Sequence, residues 1–125
     1  MERLKELKIA LVRLNDALAQ SKNEFVRDAA IQRFEFCFEL AWKTIQQYSR
    51  ALGMDVATPR LAFAIALQNG WIDDEPAWVE MLRARNLTVH TYKQELAEEV
   101  NGRLHVFADL LRGLIGRLEE CHLDT

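Results

Sequence analysis

Apolar residues recur along this chain at steps of three and four, the period of a helix packed on one side. Leu4, Leu7, Leu11, Leu14 and Leu18 form the first seam with charged residues on the other faces, which predicts a helix over 2–20. Ser21-Lys22-Asn23 breaks the pattern, and Ser21 or Asn23 can cap the next helix. That long second helix is predicted over 24–52, with Ala30, Phe34, Phe38, Ala41, Ile45, Tyr48 and Leu52 on one stripe. Phe36, Leu40 and Trp42 lie off that stripe, so either a broad core or a second subunit must cover them. Gly53 suits a left-handed helix stop. Thr58-Pro59 opens a short apolar helix that ends at Asn69-Gly70, and Asp73-Asp74-Glu75-Pro76 opens another. In that helix Trp78, Leu82, Arg85 and Val89 recur at steps of four, three and four, which turns Arg85 toward a packed face, a groove or an interface. A final long helix is predicted from Gln94 to Glu120, with Ala97, Val100, Leu104, Phe107, Leu111, Leu114 and Leu118 as its seam. Gly102 costs about 1 kcal/mol against alanine there, and a kink is expected near it. The end, Cys121 to Thr125, is expected to fray.

No segment alternates with the period of a strand, and there is no internal repeat or long linker. Three long amphipathic helices and one broken helix predict an all-α fold. The expected form is an antiparallel up-and-down four-helix bundle with an interrupted third helix. The 125 residues suit a single domain spanning 1–125.

Charge narrows the function. The formal net charge is −3, so no global basic field draws the chain to nucleic acid, and any RNA contact must be local. No run approaches the roughly 18 apolar residues that span a membrane. The N-terminal stretch mixes acids with bases on a helical stripe, unlike a signal or transit peptide, so a cytoplasmic location and no membrane partner are expected. Cys37 and Cys121 are expected as free thiols. Cys121-His122 lacks a second pair of ligands at metal spacing, so no metal site is expected. There is no glycine-rich phosphate loop and no strand before a helix to carry one, which argues against a stand-alone nucleotide kinase or dinucleotide enzyme, and no cofactor is expected. Glu98-Glu99 and Glu119-Glu120 read as solvated charge, and His105 and His122 as structural or exposed.

One stretch concentrates chemistry: Arg83-Ala84-Arg85-Asn86-Leu87-Thr88-Val89-His90-Thr91-Tyr92. Arg85 carries a planar cationic fork suited to phosphate. His90 carries an imidazole, which can take or give a proton near neutral pH, and Tyr92 adds a hydroxyl. Arginine beside imidazole without a carboxylate cluster points to phosphodiester chemistry without a metal. The plain alternative is a set of surface and capping residues. In a regular helix five residues turn through about 500°, leaving Arg85 and His90 about 140° apart. They converge only if the helix ends near Asn86 or a second chain contributes. Thr88, Val89 and Thr91 are weak helix formers, consistent with an end there. Two copies of the stretch around a two-fold axis would gather Arg83, Arg85 and Lys93 into a local cationic patch. Glu39, inside an apolar helix, needs a partner: Lys43 at the ordinary i,i+4 spacing, or Arg85.

The run Arg33-Phe34-Glu35-Phe36-Cys37-Phe38-Glu39-Leu40-Ala41-Trp42-Lys43 and the run from Arg85 to Tyr92, with its Arg-x4-His-x-Tyr spacing, resemble the HEPN superfamily. More narrowly, they resemble its HepT-like toxins and the bacterial subgroup called nucleotidyltransferase substrate-binding proteins. The similarity in layout covers nearly the whole chain. The resemblance implies an up-and-down helical homodimer that binds a small MNT-type nucleotidyltransferase. It also implies a metal-independent RNase whose Arg85 and His90 act at a cleft between protomers, with Asn86 as the polar residue after the arginine. In such pairs the transferase moves AMP to the motif tyrosine, here Tyr92, and silences the toxin. Arg83, Asn86 and Lys93 are then the substrate-binding candidates. The alternative is a non-catalytic subunit that docks the transferase or presents its substrate, and the third possibility is a helical interaction protein whose motif is structural.

Overall fold

A computed structural model describes residues 1–121. Among them the chain forms six α-helices and no strand: α1 (Glu2–Leu18), α2 (Glu24–Ala51), α3 (Pro59–Gln68), α4 (Glu75–Leu87), α5 (Gln94–Asn101) and α6 (Leu104–Glu120). A 3-10 turn over Thr88–His90 follows α4. No helix among the described residues is long and apolar enough to cross a membrane. The expectations for His122 and for fraying of 122–125 lie outside the described residues.

The helix boundaries follow local chemistry. The Asn23 side chain accepts from the Val26 N–H at 2.9 Å, which makes Asn23 rather than Ser21 the cap of α2. Thr58 caps α3 through the Leu61 N–H, with Pro59 as the first helical residue. Asp74 caps α4 through the Ala77 N–H at 3.1 Å. Gly53 and Gly70 have φ of 80° and 73°, the left-handed backbone that turns the chain out of α2 and α3.

α2 packs against all five other helices. Leu4, Leu7, Leu11 and Leu14 of α1 are buried as expected, while Ala17 rather than Leu18 completes that seam. On α2 the stripe from Ala30 to Tyr48 is buried, and Leu52 beyond the helix end is exposed. All seven seam residues from Ala97 to Leu118 are buried, yet they belong to two helices. The single helix expected from Gln94 to Glu120 is broken at Gly102-Arg103. Arg103 departs from helical geometry (φ −104°, ψ −5°), and its guanidinium lies 5.2 Å from the Phe107 ring and 3.4 Å from Glu80. A poor helix residue beside a cation with partners on α4 and α6 explains a break where a kink was expected.

α4 also corrects its predicted face. Trp78, Met81, Ala84 and Thr88 are buried, Leu82 and Arg85 are half-buried, and Val89 is exposed. The buried stripe therefore runs one position away from the Leu82–Arg85–Val89 line, and Arg85 sits on its flank.

α5 is tied to the start of α2 by charge. Arg27 is buried, and its guanidinium meets Glu98 at 3.0 Å and Asp28 at 3.1 Å, while Lys22 reaches Glu98 at 3.0 Å. Hydrogen bonds from Arg27 and then Lys22 hold the Glu98 carboxyl below its ordinary range. A carboxyl depressed on folding stabilises fully above its unfolded value, about 4.3. That contribution is lost as pH falls through the lower folded value. We predict that Glu98→Gln lowers the urea midpoint at pH 7, and that the gap to wild type closes as pH falls below the unfolded value and through the lower folded one. A gap constant across that range would remove the ionic account of this clamp.

Candidate functional site

The stretch 83–93 begins on the last turn of α4, passes through the 3-10 turn and reaches the start of α5. α4 runs to Leu87, one residue past the predicted end near Asn86, because Thr88 can replace a helical partner with its own hydroxyl. The Thr88 Oγ1 donates to the Arg85 carbonyl oxygen at 2.7 Å, and the Thr88 carbonyl accepts from the Thr91 hydroxyl at 2.9 Å.

Arg85 is about three-quarters covered, with 24% of its side chain exposed. Its Nη1 donates to Thr88 Oγ1 at 3.0 Å. Its Nε lies 3.6 Å from Glu39 Oε1, close enough for ion pairing but too far for a hydrogen bond, and that nitrogen is buried. Glu39 is held from its other side, where Trp42 Nε1 donates to Oε2 at 3.2 Å. Of the two candidate partners for Glu39, the structure selects Arg85; among the described residues no ion pair joins Glu39 to Lys43.

His90 and Tyr92 stand on the exposed side of the turn. Their ring centres are 6.1 Å apart, edge to face, and Tyr92 is 77% exposed. Lys93 Nζ lies 6.0 Å from the centre of the Tyr92 ring. Asn86 is exposed. Arg83, also exposed, pairs with Glu80 one turn back at 3.1 Å. The structure thus brings Arg85 to Glu39 and Thr88, and His90 to Tyr92 and Lys93. Among the described residues no hydrogen bond or ion pair joins Arg85 to His90, and the expected cationic patch is partly neutralised by Glu39 and Glu80 within one chain.

Two grooves flank the outer ridge of α2. One, about 460 Å³, lies against α1 and is lined chiefly by Ile9, Ala10, Arg33, Phe36 and Leu40. The other, about 470 Å³, is lined by Asp28, Gln32, Glu35, Thr91 and Tyr92. Of the three apolar residues read off the α2 stripe, Phe36 is 56% exposed, while Leu40 and Trp42 are half-buried against the core; Ile9 of α1, 64% exposed, extends the surface patch at Phe36. Sequence reasoning missed Trp42 and Thr88 as partners of the site. Each stands three residues from its charged neighbour, a spacing that places the two on adjacent turns of a helix.

His105 is exposed on α6. Among the described residues, no three His, Cys, Asp or Glu side chains gather into a metal-binding group. Both cysteines are free.

The family described as nucleotidyltransferase substrate binding protein like matches residues 2–120. The chain belongs to this family. It is 36% identical over 86 residues to a Haemophilus influenzae protein named probable ribonuclease HepT; the match covers 62% of this chain and 57% of that protein, less than two-thirds of its length. A solved structure from Thermus thermophilus superposes with a TM-score of 0.84 at 37% identity, covering 90% of this chain and 98% of the other. A Haemophilus influenzae structure described as the fold of a substrate binding domain of a nucleotidyltransferase gives 0.81 at 27% identity, covering 93% and 98%. A tri-AMPylated Shewanella oneidensis HEPN toxin in complex with its MNT antitoxin gives 0.78 at 16% identity, covering 96% of each chain, a likeness of fold alone.

The site offers no cysteine nucleophile. Burial pushes the Cys37 thiol up to about 12. We predict that iodoacetamide at pH 8 alkylates Cys121 rapidly, whereas Cys37 reacts only after denaturation. Mass spectrometry finding equal labelling of both in the folded protein would show that α2 opens readily.

Proposed function

We propose that this protein is a HEPN toxin-type, metal-independent endoribonuclease of a HEPN/MNT toxin–antitoxin pair, acting in the cytoplasm. The reading rests chiefly on a held but accessible Arg85 guanidinium at the end of α4, followed five and seven residues later by exposed His90 and Tyr92, in a chain of the nucleotidyltransferase substrate-binding family that resembles HepT-like toxins. Arg85 binds the scissile phosphate and stabilises the charge that builds on it. His90 takes the proton of the ribose 2′-hydroxyl as that oxygen attacks the phosphorus; the P–O5′ bond breaks, leaving a 2′,3′-cyclic phosphate and a 5′-hydroxyl that takes its proton from solvent. Asn86, Arg83 and Lys93 contact the RNA on either side. Tyr92 accepts AMP from the partner nucleotidyltransferase, which adds an anion and bulk two residues from His90 and competes for Arg85. The single domain 1–125 is read as an antiparallel up-and-down four-helix bundle whose third arm is α3 and α4 together, interrupted at Gly70.

The second reading is a non-catalytic subunit that docks the transferase or its substrate. The neutralisation of Arg83 by Glu80 and of Arg85 by Glu39 favours it, since each cation is already engaged. Cleavage assays separate the two. Purified protein should cut RNA equally with and without a chelator. His90→Ala should lower the rate by about 10²- to 10⁴-fold, the usual weight of a general acid–base group, with fold and partner binding unchanged. Tyr92→Phe should keep most cleavage and escape silencing by the co-expressed transferase. If wild type and His90→Ala are equally inert on RNA yet both bind the transferase, the subunit reading stands instead.

The active form is a homodimer with Phe36–Trp42 and the 83–92 stretch near the two-fold axis. The exposed Phe36 and Ile9 beside an apolar groove supply the surface. Stable interfaces bury more than about 1,000 Å², so light scattering at tens of micromolar (an order of magnitude) should give twice the mass of the chain. Phe36→Glu should yield monomer; a monomeric wild type would exclude the dimer.

A further inference from the structure

We infer that Thr88 is the positioning residue of the Arg85 site, fixing the guanidinium so that Nη2 is the nitrogen offered to an anion. The inference rests on the reading of Arg85 as the phosphate-binding group. Thr88 is 6% exposed and lies where the α-helix gives way to the 3-10 turn. Its hydroxyl has one proton to give and lone pairs to accept with. The proton goes to the Arg85 carbonyl at 2.7 Å, so the oxygen turns a lone pair to Arg85 Nη1 at 3.0 Å. Residue 85 is thereby held at its backbone and its side-chain tip by one atom. The Thr88 carbonyl accepts from both the Thr91 hydroxyl and the Thr91 N–H, so the same residue anchors the turn that carries His90 and Tyr92.

The opposite edge of the guanidinium is fixed from α2. Trp42 holds Glu39 by Oε2 at 3.2 Å, which leaves Oε1 at 3.6 Å from the buried Nε. One of the two Nη1 protons is taken by Thr88, and Nε is covered and faces a carboxylate, so Nη2 is the nitrogen with both protons free. Nη2 carries no hydrogen bond among the described residues and is not buried. Arginine has the donors to meet a hydroxyl, a carboxylate and an incoming phosphate at once; a lysine ammonium at the same place is a compact point charge without the planar fork. Selectivity for arginine at 85 thus comes from serving protein and ligand together.

The test uses full-length protein and a 2′-O-methyl oligoribonucleotide, which cannot be cleaved by internal attack. Thr88→Val keeps the branched shape and removes the hydroxyl; Thr88→Ser keeps the hydroxyl. Affinity should fall roughly 10-fold in Thr88→Val, in line with loss of one hydrogen bond to a charged group, and stay within about 3-fold of wild type in Thr88→Ser. In an Arg85→Ala background, Thr88→Val should cause no further loss, because nothing remains to be positioned. A merely structural role would lower affinity equally in both backgrounds, and that outcome overturns the inference. NMR of the Arg85 guanidinium supplies a readout that needs no RNA. Rotation about its Nε–Cζ bond should be slow in wild type and Thr88→Ser and fast in Thr88→Val. If wild-type protein neither binds nor cuts RNA, the functional reading fails by itself, and the rotation rates alone decide the positioning claim. Equal rates in Thr88→Val and wild type overturn it.

Discussion

The site depends on a run of aromatic contacts that crosses four helices. Phe107 of α6 stacks on Phe34 of α2 at 5.3 Å; Phe38, one turn along, meets Phe63 of α3 edge-on at 6.2 Å; and Phe63 meets Trp78 of α4 at 5.4 Å. Phe34 and Phe38 are themselves 6.4 Å apart, so the series is continuous. Each such pair contributes about 0.5–1.5 kcal/mol beyond burial of its area, and all five rings are buried. Trp78 therefore fixes both the depth and the rotation of α4. Arg85 follows two helical turns later, about 10 Å along the axis, which is why it arrives beside Glu39 on α2 instead of in solvent.

The charges around the site differ in how readily a phosphate can claim them. Arg83 and Glu80 are 67% and 39% exposed, and such a pair is worth little in water. An incoming phosphate can draw Arg83 away at small cost. Arg85 is more covered and is gripped from two sides, so it keeps its place whether or not a ligand arrives. Preorganisation of that kind is what electrostatic stabilisation of a developing charge requires, since no reorientation is then needed during reaction. It also limits non-specific attraction, because Glu39 offsets the cation at a distance and only an anion that reaches the guanidinium itself meets its exposed nitrogen. A chain with net charge −3 is thus compatible with a local phosphate contact.

Much of this is legible in the sequence, because helical period, cap residues and glycine stops act locally. The seams of α1, α2 and α6 and the caps Asn23, Thr58 and Asp74 need no tertiary information. The features that escape a sequence reading depend on neighbours. Met81 and Ala84 rather than Leu82 face the core, because Trp78 rotates α4 to reach Phe63. Val89 is exposed because the same rotation puts Thr88, one position earlier, in the buried stripe. The break at Arg103 depends on Glu80 and Phe107, which lie on α4 and α6. In the site, Arg85, His90 and Tyr92 are readable as unusual residues close together. Thr88 shows in the sequence only as a weak helix former, since a threonine at i+3 from an arginine is common and its role emerges only when the hydroxyl is seen between side chain and carbonyl.

The helix end does not by itself solve the problem of bringing guanidinium and imidazole together. Three α-helical steps from Arg85 to Thr88 followed by two 3-10 steps to His90 turn through about 540°, which leaves the two side chains on roughly opposite sides. The tighter turn thus increases their separation around the axis compared with the roughly 140° of a regular helix. Arg85 accordingly points to α2, while His90 points out with Tyr92. On the proposed reading, a phosphate held by Arg85 would meet the imidazole of His90 from a second copy of the stretch. The exposed apolar ridge of α2 adjoins this surface, since the groove at Tyr92 and the groove at Phe36 share Ala29 and Gln32. A two-fold arrangement across that ridge would cover Phe36 and bring each His90 toward the other chain's Arg85. One contact surface would then satisfy both the hydrophobic excess of α2 and the divergence of the two polar side chains.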